Sequence, residues 1–151
     1  MHNPFRPQRR DKKVDARVSA VDIGLLYLRV AASLLLLIVH GLPKLLNFSG
    51  ELDSIADPFH LGTTLSVSFA IFAQVICPPL MMLGIGTRMA AVPILLVTLI
   101  AIVFVHPDWT LVQGQFASML LILFGTVAIA GPGKYRVGRP SEPATRRWGS
   151  R

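Results

Sequence analysis

Two histidines, a lysine and two glutamines sit within or at the ends of long apolar stretches of this chain, and their spacing sets several of them on common helix faces. Arg29 and His40 are eleven positions apart. At ~100° per residue that is about 20° beyond three full turns, so both share one face. Ser33 lies near that face, and Lys44 follows one turn beyond His40. Arg88 and His106 are eighteen positions apart on another stretch, five whole turns. Polar groups are costly in hydrocarbon, which makes these residues the first candidates for chemistry. Imidazoles titrate near neutrality, relay protons, and bind metals or haem. Two histidines and a lysine also hydrogen-bond a quinone carbonyl or hold a small anion. His40, Lys44, His106 and Gln115 all fall at corresponding ends of their helices and are expected to converge in an outer polar pocket, with His60 and Asp108 at its rim. Arg29 and Gln74 lie inside the apolar segments. For each histidine the plainer role is a hydrogen-bonded interfacial residue, and convergence at one depth is what favours function. Arg29 has its own plain role, reaching back to the interface or pairing with Asp22.

The elements that must position these groups are apolar helices. Asp22 stands before Ile23–Leu42, a run of about twenty residues, long enough to cross a ~30 Å hydrocarbon core. Asp22 is a plausible N-cap and Pro43 marks the end. Residues 44–63 mix Glu51, Asp53, Asp57 and His60 with leucines and phenylalanines, a pattern for a loop or a short interfacial helix. Further spans are expected at about 64–84, with a kink at Pro78-Pro79, then 89–106 and 115–130, with Gly131-Pro132-Gly133 as the stop. The first and third spans share a weak repeat, Leu28-Arg29-Val30-Ala31-Ala32 to His40 and Thr87-Arg88-Met89-Ala90-Ala91 to His106.

Composition supports lipid as the solvent. Of 151 residues, 52% are hydrophobic and 15% charged, against about 25% charged in a soluble domain. The net charge of +7 sits in the flanks. Six basic residues (Arg6, Arg9, Arg10, Lys12, Lys13, Arg17) precede the first apolar run, and six (Lys134, Arg136, Arg139, Arg146, Arg147, Arg151) follow the last. With Arg88 this makes thirteen on one side against Lys44 alone on the other, which predicts cytoplasmic N- and C-termini. Lacking interleaved aromatics, this charge does not read as nucleic-acid binding. The first run is longer than a signal-peptide core and has no A-x-A site behind it. A single cysteine, Cys77, excludes an internal disulfide and a dithiol relay of the vitamin K epoxide reductase type. No metal site is expected, and no nucleotide, zincin or serine-hydrolase motif occurs. A small multidrug exporter would need an acidic residue in the first span, and Ile23–Leu42 has none.

Three blocks carry a family resemblance: Leu28-Arg29-Val30 through His40-Gly41-Leu42-Pro43-Lys44-Leu45, then Gly84-Ile85-Gly86-Thr87-Arg88-Met89-Ala90-Ala91 with its run to Val105-His106, and Gly131-Pro132-Gly133-Lys134-Tyr135. In this order, over about residues 23–136, they resemble the DoxX family. The resemblance implies a small four-helix protein of the bacterial inner (plasma) membrane. It also implies association with membrane oxidoreductases near the quinone pool, such as the thiosulfate:quinone type. The sequence departs from the pattern at two places. Gln115 stands where family members often carry glutamate, and Arg136-Val137-Gly138 replaces S-L-D. A glutamine hydrogen-bonds but does not shuttle protons.

The expected fold is therefore an all-α membrane protein, a four-transmembrane-helix bundle. Basic tails occupy residues 1–22 and 134–151, and the transmembrane domain residues 23–133. Two functions are carried forward. One is an accessory or membrane subunit of an oxidoreductase system, holding quinone or haem and meeting a membrane or periplasm-facing redox partner. The other is a non-catalytic structural or interaction protein whose polar residues lock helix packing, alone or as a homo-oligomer.

Overall fold

A computed structural model describes residues 10–137, and among these residues it is all helical, with no strand. The outer parts of both basic tails, 1–9 and 138–151, lie outside the described residues. Helix α1 (Arg10–Leu36) continues through a π turn (Leu37–Gly41) into α2 (Leu42–Leu46). A short α3 (Phe48–Ser54) follows. Then α4 (Thr63–Ile71), a second π turn (Phe72–Ile76) and α5 (Cys77–Leu83) form the next continuous rod. The third rod is α6 (Thr87–Ile100) with a π turn (Ala101–Val105), and α7 (Gln115–Ala130) closes the bundle.

Three of these rods, Ala20–Leu46, Thr63–Leu83 and Thr87–Val105, are long and apolar enough to cross a membrane. The fourth, α7, is apolar but has 16 residues, ~24 Å at 1.5 Å per residue. Helix α1 packs on α5 and α7, and α6 on α5 and α7, so the four rods close into a ring. Its core is Ala32, Leu36, Cys77, Met81, Ala90, Ala91, Ile94, Leu120, Phe124 and Val127. Alanine pairs such as Ala90-Ala91 let backbones approach closely, the usual basis of helix packing in lipid. The outward faces carry exposed Leu35, Ile38, Phe72, Val92 and Ile122, while Arg29, Ser33 and Asp22 are buried inside. Apolar outside with charge inside reverses the soluble pattern and suits a bilayer.

The helix boundaries differ from the sequence expectation in two places, each for a physical reason. The first helix is already formed from Arg10, so Asp22 is mid-helix and caps nothing. Its Oδ1 instead accepts the backbone N–H of Lys134 at 2.9 Å. Pro43 does not end the helix. Proline lacks an N–H and its ring collides with the carbonyl four residues back. Here the turn before it widens, Leu42 N–H bonds Leu37 O five residues back, and the helix runs on to Leu46. The kink expected at Pro78-Pro79 takes the same form, with Cys77 N–H donating to Phe72 O. The chain breaks at Asn47 (φ −117°, ψ 48°), and α3 folds back from there.

Candidate functional site

A cavity of about 940 Å³ lies between the rods at the end where the three π turns occur. That is near the upper limit for small-molecule pockets. Leu36, Phe69, Leu96, Phe104, Phe116 and Leu120 supply apolar wall. His40, Lys44, Glu51, Gln74, His106, Trp109 and Gln113 supply the polar and amphipathic groups.

Each polar group is held by its element. His40 lies in the first π turn, with its ring centroid 5.2 Å from that of Phe116 on α7. Its neighbour Gly41 is buried against the second rod, and a Cβ there would fall 2.2 Å from Gln74 O. Only glycine permits this approach, which sets His40 and Gln74 on adjoining walls. Gln74 also has the prolines Pro78 and Pro79 four and five residues ahead, so neither position offers its carbonyl an N–H. Among the described residues its side-chain Oε1 has no hydrogen-bond partner either. His106 follows the third π turn and stacks flat on Trp109, with centroids 3.9 Å apart and planes 3° from parallel. Lys44 Nζ lies 3.9 Å from Glu51 Oε2 across the α2–α3 joint, with both side chains mostly covered. Gln113 is tied to its own loop, Oε1 accepting Thr110 N–H at 2.9 Å.

A cap formed by α3 and residues 55–62 adjoins the cavity and is fastened by Asp57. Its Oδ2 accepts Gly62 N–H at 2.7 Å, and its Oδ1 accepts Leu61 N–H at 3.1 Å and Ser66 Oγ–H at 3.0 Å. Desolvation works against the charge there. The donors Gly62, Leu61 and Ser66, with nearby His60, more than offset it and hold the carboxyl below its ordinary range.

Of the residues expected in the pocket, His40, Lys44 and His106 all line the cavity, but Gln115 does not. Gln115 is exposed, because the inward stripe of α7 runs Phe116, Leu120, Phe124, Val127 and Gln115 falls off it. Gln74, expected only as an intramembrane polar group, is in the wall. His60 and Asp108 are exposed and outside, and the rim is made instead by Glu51, Trp109 and Gln113. Helical spacing gives no signal for Glu51, because the break at Asn47 separates Lys44 on α2 from Glu51 on α3, and only the fold of that joint brings the two together.

Arg29 belongs to a second polar set at the opposite end. Only 2% exposed, it neither reaches the interface nor hydrogen-bonds Asp22. Its Nη1 donates to Pro132 O at 2.6 Å and its Nη2 to Tyr135 O. Asp22 holds Lys134 by the backbone bond and by an ion pair at 3.7 Å. Val137 N–H bonds Leu83 O at 2.9 Å, and Arg88 Nη2 reaches Ile129 O at 3.2 Å. Gly84 (φ 76°) makes room, since a Cβ there would lie 2.7 Å from Arg29 Nη1. The Gly131–Tyr135 segment is thus a strap across the bundle end, tied by two charged residues of α1.

No curated protein and no solved structure matches the chain. The DoxX family model matches residues 24–107, from the buried face of the first long helix through both cavity histidines to Pro107. That stretch is more than half of the sequence, and the chain belongs to the DoxX family.

Proposed function

We propose that the protein crosses the bacterial inner membrane four times with both termini in the cytoplasm, and that it serves as a quinone-binding membrane subunit of an oxidoreductase system. The topology is supported by the thirteen-to-one distribution of Lys and Arg and by the Asp22–Lys134 contact, which brings the first and last helices together at one end. The short α7 spans by local thinning of the bilayer or by snorkelling of its flanks.

The observation that carries the ligand reading is the cavity of about 940 Å³, with apolar walls and a few converging polar groups. A quinone has a flat ring with two carbonyl oxygens and an isoprenoid tail. Phe116, Phe104 and Leu96 suit ring and tail, while His40, Lys44 and the Gln74 amide offer donors to the carbonyls. Bound quinone would supply two-electron redox capacity. The chain's own part is to orient the ring, to exclude water, and to present the polar groups of His40, Lys44 and Gln74 to the carbonyls. A chain with an exposed Gln115 thus still carries a carboxylate at the cavity, supplied by the cap. The tail-end set supports a structural reading for its own members, since Arg29 and Asp22 are engaged with the strap.

The test is purification from native membranes in mild detergent, followed by an absorption spectrum and quinone extraction for wild type and His40→Ala. Near-stoichiometric quinone in wild type, lost in the variant, is expected. A colourless, quinone-free wild type with His40→Ala equally well folded would overturn the reading and leave the structural role.

A further inference from the structure

All three π turns stand in the same relation to a proline. They cover Leu37–Gly41, Phe72–Ile76 and Ala101–Val105, and Pro43, Pro78 and Pro107 follow each at the second position. The residue just before each proline donates its N–H five residues back: Leu42 to Leu37 O, Cys77 to Phe72 O, and His106 to Ala101 O. Pro43 and Pro78 lie in continuing helix, where a proline displaces the carbonyl four residues behind it and one wide turn gives that carbonyl room. Pro107 instead stands just past the third rod, after His106 (φ −131°, ψ 57°), and acts by withholding the N–H that would continue the α-helical ladder. The result is one extra residue per turn, which rotates the residues beyond it by about 100° relative to an unbroken α-helix. Widening is not the automatic outcome of a proline in these rods. Pro93 lies inside α6, and α6 stays α-helical through it to Ile100.

The three widened turns also coincide with the polar groups of one site. His40 and Gln74 lie within two of them, His106 is the residue that closes the third, and all three line the cavity. The first two turns touch where Gly41 abuts Gln74 O. From this coincidence we infer that Pro43, Pro78 and Pro107 are the positioning residues of the cavity, each widening its helix so that His40, Gln74 or His106 faces the ligand. The inference rests on the ligand-binding reading but has a readout of its own. An alanine at these positions restores the N–H, lets the last turn tighten, and swings the imidazole off its aromatic partner.

The experiment uses full-length protein in nanodiscs of phosphatidylethanolamine and phosphatidylglycerol, with Pro107→Ala, Pro43→Ala and the control Pro93→Ala. Labelled-histidine NMR follows the ring-current shift of His106 over Trp109 and of His40 beside Phe116. Decylubiquinone binding and the unfolding midpoint are measured in parallel. Expected is loss of the His106 shift in Pro107→Ala and of the His40 shift in Pro43→Ala. Decylubiquinone affinity should fall about tenfold or more, as a misplaced group implies. Neither midpoint should drop, and Pro93→Ala should change no signal. Unmoved imidazoles in both variants, or affinities that fall only in step with the midpoints and equally in Pro93→Ala, would overturn the inference. Should one variant fail to fold, the other carries the same comparison. If wild type binds no decylubiquinone while the imidazole shifts change as described, the ligand reading falls and the positioning role stands.

Discussion

Gly41→Ala is the sharpest test of how the cavity is built, because one methyl group meets backbone. The new Cβ would lie 2.2 Å from Gln74 O and 3.0 Å from its carbonyl carbon. Ordinary C···O contact begins near ~3.3 Å, so the first two rods must separate by roughly 1 Å. Overpacking of this kind costs ~1–3 kcal/mol, and a clash against main chain belongs at the upper end of that range. Gly125→Ala provides the opposite case. Its Cβ would meet nothing within 4 Å, and the change should stabilise α7 by ~0.5–1 kcal/mol through backbone entropy alone. The same substitution at two helical glycines should therefore differ by ~2–4 kcal/mol. Reversible unfolding in mixed micelles by SDS titration, followed by helicity, measures both. The pair also has a functional half, since moving Gly41 from Gln74 parts two walls of the cavity, so bound quinone should fall in Gly41→Ala only. Equal stability of the two variants would refute the close contact and the account of the cavity that depends on it.

Other outcomes rest on the same structure. Arg29→Met strands the carbonyls of Pro132 and Tyr135 and should lower stability by ~3 kcal/mol, with faster proteolysis at residues 134–137. Gln74→Leu should reduce quinone retention about tenfold by removing the amide, whereas Gln115→Ala, altering an exposed residue, should leave retention unchanged; extraction from the two variants decides. Asp57 has a depressed folded-state pKa, so its contribution to holding the cap is full above the ordinary carboxylate value of ~3.9 and fades as pH falls through its lower folded value. Asp57→Asn should remove that acid limb, read as cap proteolysis against pH, and a limb that persists would assign it elsewhere.

Much of the helical plan is readable from apolar runs and from Gly-Pro punctuation, as at Gly131-Pro132-Gly133. What misleads is proline. Pro43 reads as a terminator because its missing N–H is a local fact, while the widened turn that absorbs it, lying against Gln74 of the second rod, shows only in the fold. Ending the helix there also hides the joint at Asn47 across which α2 and α3 meet, and with it the carboxylate of Glu51 at the cavity. The eleven-residue spacing of Arg29 and His40 assumes an unbroken α-helix, whereas a π turn carries His40 to the cavity, and the two residues serve opposite ends of the bundle. Which partner takes an intramembrane arginine depends on a segment 103 residues away. Gln115 fails for a finer reason, since depth is legible from a boundary but the inward stripe of a helix needs its neighbours.

The strap that covers Arg29 also has a consequence for synthesis. Arg29 enters the membrane with the first helix, when its carbonyl partners at Pro132 and Tyr135 have yet to be translated. Until then an arginine in lipid carries a penalty of ~2.5–3.5 kcal/mol on insertion scales. Before the strap segment is made, the first helix lacks the tie to the bundle end that these two carbonyls give it. Locking of the bundle thus waits on Pro132 and Tyr135, and a product truncated before Tyr135 leaves Arg29 without one of the two carbonyls that satisfy it.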